Sequence, residues 1–240
     1  MQEIWAAIQQ ALESRGSSRA PRNCVWTKQV AKAFDWIAIF LSAEGDLLSR
    51  TYSIADYASS RPTVELDVDA SPWGLGAVLY IDGQVKEYIA ERVTDEEAEL
   101  LGQEVGSCRS QQTFECLASL VALRTWFGVW RGTRVDLRVR SDSIACLTMV
   151  LRHKANGRGP GIIARELALD IARASYRPSV VEHVPGIANK TCDVLSRLHE
   201  PGKSAQIPAH LAQVARAKVA PRDLIVPHPV PPAGAAMHGR

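Results

Sequence analysis

Four acidic residues stand where their neighbours predict that chemistry could be done: Asp69, Glu115, Asp142 and Asp193. Asp69 belongs to Val64 to Tyr80, V-E-L-D-V-D-A-S-P-W-G-L-G-A-V-L-Y, which alternates acidic and apolar residues, breaks at Pro72 and Gly74, and resumes as an apolar run. This pattern predicts a strand, a turn and a second, antiparallel strand. Period-2 alternation puts Leu66, Val68 and Ala70 on one face and Glu65, Asp67 and Asp69 on the other. The acidic face must meet water, a cation or a ligand, so a metal site and a solvated edge strand both satisfy this stretch taken alone.

The other three acids sharpen the choice. The best helix runs from about Gln112 to Trp130, with Phe114, Leu117, Ala118, Val121, Ala122, Thr125 and Trp126 at helical spacing and Glu115 near the edge of that face. Asp142 follows Thr133 to Arg140, a strictly alternating strand whose apolar face is Val135, Leu137 and Val139; Asp193 lies in a short final helix, Asn189 to Leu198. If this fourth strand pairs parallel with the first through a crossover by the long helix, its C-terminal end lies beside Asp69 and one place holds all four acids. Four carboxylates packed without a cation would raise one another's pKa values, which makes the cluster a site for hard divalent ions. Two such ions about 4 Å apart, bridged by one Asp, form a clamp for in-line attack of water on a phosphodiester. Asp142 has a second reading, as a helix N-cap.

The elements that must position these residues come in the order three strands, helix, strand, helices, strand, helix. Gln84 to Val93 completes a meander after the Asp82-Gly83 turn, and Thr94 to Ser110 reads as a polar loop with a helical piece. Helices are predicted at Ile144 to Leu151 and Ile162 to Ser175, separated by a basic, Gly-rich turn, and Ser179 to Val184 is a short strand. Upstream, Ile4 to Ser14 and Thr27 to Leu41 carry helical stripes, the second through Val30, Ala33, Phe34, Ile37, Ala38 and Leu41. The main domain starts at about Pro62. From about Glu200 the composition turns to Pro, Ala and Arg, which predicts a disordered tail.

Composition sets outer bounds. The 240 residues are 46% hydrophobic and 22% charged, enough for one globular domain with extra segments, and a net charge of +2 does not by itself argue for nucleic acid. Five cysteines without a C-x-x-C pair argue against a disulfide framework or a zinc site and for an intracellular location. Neither a signal peptide nor a long uncharged apolar stretch is present, so no membrane partner is expected.

In order, D-A-S-P-W-G-L-G-A-V-L, Q-T-F-E-C-L-A-S-L-V-A-L, R-V-R-S-D-S and H-V-P-G-I-A-N-K-T-C-D-V-L-S-R resemble the motifs of the ribonuclease H domain of retrotransposon (LTR/DIRS-like) reverse transcriptase polyproteins. The resemblance covers about Val64 to Leu198, and its most specific part is the closing N-x-x-x-D-x-L-S-R. It implies an α/β, ribonuclease H-like fold with a mixed five-stranded sheet flanked by helices. The domains would be 1–60, a helical remnant of a post-polymerase connection region; 61–199, the ribonuclease H-like domain; and 200–240, the tail. The implied activity is Mg2+-dependent hydrolysis of the RNA strand of RNA/DNA hybrids, with two ions, Mn2+ as a substitute, and the polymerase portion of the polyprotein as partner. By similarity Asp69 would bridge both ions, Asp193 would complete the one that activates water, and Glu115 with Asp142 would hold the one on the leaving 3′-oxygen. No polymerase motif accompanies the domain, as in a fragment or a decayed element, and a catalytically inactive nucleic-acid-binding or structural module is the alternative.

Two departures and several neighbours bear on the site. His183 is the one candidate for the product-release histidine that many members carry before the last Asp, and the short V-P-G-I-A loop limits its reach. Cys192 replaces the Ala common before that Asp. Arg152, Lys154 and Arg158 form a cluster that either grips hybrid phosphates or is a solvated helix end. Most of Arg124, Arg131, Arg134, Arg138 and Arg140 read as surface; Trp126 and Trp130 read as core; Trp73 either stacks on substrate or packs on its own turn. Asp67, Glu104 and Asp136 are decoys, with the following A-S-P-W-G favouring Asp69 over Asp67.

Overall fold

The alternation that begins at Val64 builds the central strand. In the computed structural model, which describes residues 24, 27–42, 61–130, 135–174, 180–204, 206–222 and 224, β1 is Thr63–Ala70, with Val64, Leu66, Val68 and Ala70 buried on one face. It pairs antiparallel with β2 (Gly74–Ile81), and β2 with β3 (Gln84–Arg92). On its other side β1 pairs parallel with β4 (Asp136–Ser141), and β4 with β5 (Val180–His183). The sheet order is β5-β4-β1-β2-β3-β6, β6 being Ala215–Arg216. This is the mixed, helix-flanked α/β sheet expected, with a sixth strand added.

The parallel β1–β4 pair requires a crossover, and α3 (Gln111–Thr125) supplies it. Its residues from Cys116 to Leu123 are all buried, so it is a central helix rather than an amphipathic one. The single helix expected through Trp130 divides at Trp126: a short α4 (Phe127–Trp130) follows, and both Trp126 and Trp130 are buried as expected. Before α3, the expected helical piece is α2 (Asp95–Leu101), fixed by a capping box in which Thr94 and Glu97 exchange hydrogen bonds of 2.9 and 3.2 Å. Residues 131–134, with Arg131 and Arg134, lie outside the described residues.

Helices α5 (Ile144–Arg152) and α6 (Arg158–Ala174) join α3 over one face of the sheet, closing the larger core around Phe114, Leu117, Leu137, Met149 and Ile163. Arg124, expected on the surface, instead pairs from α3 with Glu166 and Asp170 of α6 at 2.5 Å each. Glu166 is 1% exposed, so this pair is made within the interior between α3 and α6. The opposite face carries a smaller core of Val78, Tyr88, Ala90, Cys192, Leu195 and Leu211 under α7 (Lys190–Ser196). A register shift between Leu79 and Tyr80 pairs Tyr80 with Val85 and Leu79 with Glu87, so Val85 packs with this smaller core while Ile89 joins the larger one.

Part of the stretch expected as a tail from Glu200 has regular structure, while residues 225–240 lie outside the described residues. Ala209–Leu211 makes a 3-10 turn that buries Leu211, and Ala215–Arg216 adds to the edge of β3. The outward carbonyls of β3 then find donors in turn: Tyr88 takes the Ala217 amide at 2.8 Å, Ala90 the Arg216 guanidinium, and Arg92 the Arg222 guanidinium at 3.0 Å. Composition predicted disorder because it counts apolar surface; this segment is held instead by satisfying a strand edge.

The chain divides into two compact units, Met1–Ser49 with Ile225–Arg240, and Arg50–Leu224. In the first, α1 (Thr27–Ser42) buries Val30 and Ala33 of the expected stripe, while Phe34, Ala38 and Leu41 are exposed. The expected helix Ile4 to Ser14 lies outside the described residues.

Candidate functional site

Asp69 is the next-to-last residue of β1, and the parallel pairing of β4 brings Asp142 to the same end of the sheet. Asp69 is only 5% exposed. Burial, followed by the facing charges of Asp142, Asp193 and Glu115, pushes its carboxyl up to about 7, against a hydrogen bond from Ser196 that lowers it. The other three motif acids therefore all lie near enough to Asp69 for their charges to act on it.

Each comes from a different element. Glu115 stands on the first turns of α3, where burial raises its pKa while hydrogen bonds from Ser143 and Gln111 oppose the rise and Asp142 adds to it. Gln111 also donates to the carbonyl of Ala70, tying the start of α3 to the end of β1. Asp142 is not the N-cap that its position allowed: Ser143 takes that role, accepting from the Cys146 amide at 3.3 Å and freeing the Asp142 carboxylate. Gly186, in the β5–α7 loop, lies so close that a side chain there would begin 3.1 Å from Asp142 Oδ2.

Asp193 rides on α7, and the way α7 is seated follows from the sequence around it. Its N-cap residue Asn189 turns its side chain inward and donates to the Val68 carbonyl at 3.1 Å. Ser196 donates to Asp69 Oδ2 at 2.7 Å, while its own carbonyl accepts from Ser71 Oγ at 2.7 Å. The approach is so close that a side chain at Gly76 would run into the backbone of Cys192 and Ser196, and one at Gly74 would come within 2.5 Å of the Ser196 carbonyl. Cys192, the departure before Asp193, is buried in the smaller core without displacing the helix.

The decoys resolve as geometry. Asp67 is gripped by Arg140 through bonds of 2.5 and 2.8 Å, and Arg140 also lies 5.5 Å from the Tyr80 ring centre, so both belong to a charged ladder further down the sheet. Arg138 pairs with Asp136 at 3.1 Å, and Glu104 is exposed. Trp73 is half-buried and lies against Gly106, whose amide donates to the Pro72 carbonyl at 2.8 Å.

His183 ends β5, exposed, with Nε2 3.1 Å from the Asp142 carbonyl oxygen. It thus sits beside one of the four acids. Arg152 and Lys154 are exposed at the end of α5 and just beyond it, and Arg158 is exposed in the first turn of α6 next to Gly102. None of the three has a carboxylate partner among the described residues.

Sequence reasoning assigned no role to Gln111, Asn189 or Ser196. The signal was present for two of them: Asn189, Asp193 and Ser196 recur at helical spacing on one face, so the last two-thirds of N-x-x-x-D-x-L-S-R turns toward Asp69 with the first.

The donor set fits hard divalent cations. It consists of carboxylate oxygens alone, it concentrates negative charge around a buried Asp69, and it leaves that charge to be offset. Asp69, Glu115 and Asp193 are each turned to a neighbouring donor, Asp193 to Arg197 Nε at 2.6 Å, and no three His, Cys, Asp or Glu side chains among the described residues are drawn together tightly enough to enclose an ion.

No protein-family model and no curated protein matches the chain. Among solved structures it is similar to the crystal structure of RNase H1 from the halophilic archaeon Halobacterium salinarum, at 18% identity and a TM-score of 0.36 over 58% of this chain and 97% of that one. It is similar to LC11-RNase H1, isolated from compost by a metagenomic approach, at 13% identity and a TM-score of 0.38 over 57% and 93%. The foamy viral protease-reverse transcriptase in complex with dsDNA is similar at 15% identity and a TM-score of 0.30, over 77% of this chain and 34% of that one. Likenesses this distant speak to neither activity nor substrate. No helix among the described residues is long and apolar enough to cross a membrane.

Proposed function

We propose that the chain is a metal-dependent endonuclease that hydrolyses the RNA strand of RNA/DNA hybrids as part of a retroelement reverse transcriptase. The observation that carries this reading is the placement of Asp69, buried at the end of the β1–β4 pair, with the charges of Glu115, Asp142 and Asp193 acting on it from three other parts of the fold.

Asp69 with Asp193 would hold one Mg2+ and Asp69 with Glu115 and Asp142 the other, with Mn2+ as substitute. Such ions supply Lewis-acid stabilisation of charge on the attacking and leaving oxygens. The chain's own work is to orient and to exclude. Ser196 and Gln111 fix two of the carboxylates, and Asn189 and Ser71 fix the helix that brings the fourth. Arg152, Lys154 and Arg158 take hybrid phosphates, which positions the duplex without reading its sequence. The 2′-OH beside the scissile phosphate distinguishes the RNA strand. His183, exposed next to Asp142, assists departure of the cleaved end. The polymerase portion of the parent polyprotein is the partner that would deliver hybrid.

The alternative, an inactive nucleic-acid-binding or structural module, is favoured by one observation, the Arg197–Asp193 pair that occupies a carboxylate the reaction needs. Cleavage of end-labelled RNA/DNA hybrid by the full chain, with Mg2+ or Mn2+ and with Asp69→Asn as control, separates the two. Scission of the RNA strand alone, lost on chelation and in the variant, is expected. Binding of hybrid without scission under either metal would establish the alternative.

A further inference from the structure

We propose that Ser196 is a positioning residue for the central carboxylate, locking Asp69 in the orientation that receives divalent ions. This rests on the carboxylate site being a cation site.

The inference starts from how the two halves of one residue are used. The Ser196 hydroxyl, fully buried, donates to Asp69 Oδ2 at 2.7 Å, and the Ser196 carbonyl accepts from Ser71 Oγ at 2.7 Å. Ser71 Oγ in turn accepts from the amides of Trp73 and Gly74 at 3.2 and 3.1 Å, so the turn after β1 holds the serine that holds the end of β1. The loop of bonds closes on itself: Asp69, Ser196, Ser71 and the strand between 69 and 71. Its serine cannot drift, because Gly74 and Gly76 let the backbone of Ser196 rest directly on β2.

An aspartate at the centre of three other acids is pushed away from them, and a short side chain has one soft torsion with which to turn aside. A donor bonded to one oxygen removes that freedom and leaves the other oxygen to face the cluster. Partners of this kind behind a ligating group characteristically contribute about 10–100-fold in metal affinity.

The test is Mn2+ binding to the full chain by titration calorimetry, for the wild type, Ser196→Ala and the nearly isosteric Ser196→Cys, with thermal unfolding in EDTA reporting the fold. Both folded variants are expected to bind Mn2+ about 10–100-fold more weakly. Ser71→Ala, which keeps the hydroxyl–carboxylate bond, is expected to lose less. A folded Ser196 variant that binds as tightly as wild type overturns the proposal while leaving the nuclease reading intact. Failure of both Ser196 variants to fold assigns the hydroxyl to packing and also overturns it. A wild-type chain that binds no Mn2+ removes the cation-site reading and this inference together.

Discussion

The side-chain amide of Asn189 donates to the main-chain carbonyl of Val68 at 3.1 Å, across 121 residues of sequence. One bond therefore fixes the height of the last helix on the central strand, one residue from Asp69. Asn189→Ala leaves that buried carbonyl unsatisfied, which costs about 1–3 kcal/mol. Urea unfolding of the two proteins should show the loss at an unchanged slope; a change below about 0.5 kcal/mol would mean that the helix is seated by packing alone.

Gly76 faces Asp69 across the β1–β2 pair and touches the backbone of α7. Gly76→Ala puts a methyl group where the chain of Cys192 and Ser196 runs, and neither can give way as a flexible side chain would. We expect destabilisation of about 1–3 kcal/mol and a larger loss of hybrid cleavage than of hybrid binding, because the displaced helix carries Asp193. Equal losses of binding and cleavage would argue that the helix also contacts substrate.

Asp69 makes stability depend on pH when divalent ions are removed. Its folded-state pKa is raised from 3.8 to about 7, so between those values the native chain holds a proton that the unfolded chain has released. Stability in EDTA is then fully present below about pH 4 and falls as pH rises toward about 7, by an amount on the order of a few kcal/mol. Asp69→Asn should flatten this decline, and saturating Mg2+ should oppose it by favouring the ionised form. A decline of equal size in wild type and variant would place its origin elsewhere.

The segment from Ile207 to Arg222 closes the edge of β3. Ending the chain at Ser204 removes Leu211 from the smaller core and the donors from the Tyr88, Ala90 and Arg92 carbonyls. Burial of a leucine side chain alone contributes about 1.5–3 kcal/mol. The truncated chain is expected to melt at lower temperature and to self-associate through the bared strand, read by calorimetry and by light scattering. An unchanged melting temperature would mean that the edge is satisfied by water at no cost.

The chain's own letters were enough to set out the first five strands of the sheet. Alternation fixes which residues of a strand share a face, so Leu66 and Val68 went to one face and Asp69 to the other without reference to any other part of the chain. The ordered motifs then supplied the partners that alternation cannot see. The capping box at Thr94 and Glu97, a local exchange of two bonds, lies in the stretch expected as a polar loop with a helical piece and was found only in the structure.

What only the tertiary structure decided is how long-range partners use polar groups whose types are locally ambiguous. Asp67 and Asp69 share a strand face, and it is Arg140 from β4 that claims the first and Ser196 from α7 that claims the second. Arg124 looked like surface until Glu166 and Asp170 came to meet it, and the chain after Glu200 looked like solvent-exposed tail until β3 offered it unpaired carbonyls. Hydrophobic periodicity reports the burial of side chains along one element. Hydrogen-bond satisfaction is settled between elements distant in sequence, and no local pattern encodes which donor reaches which acceptor.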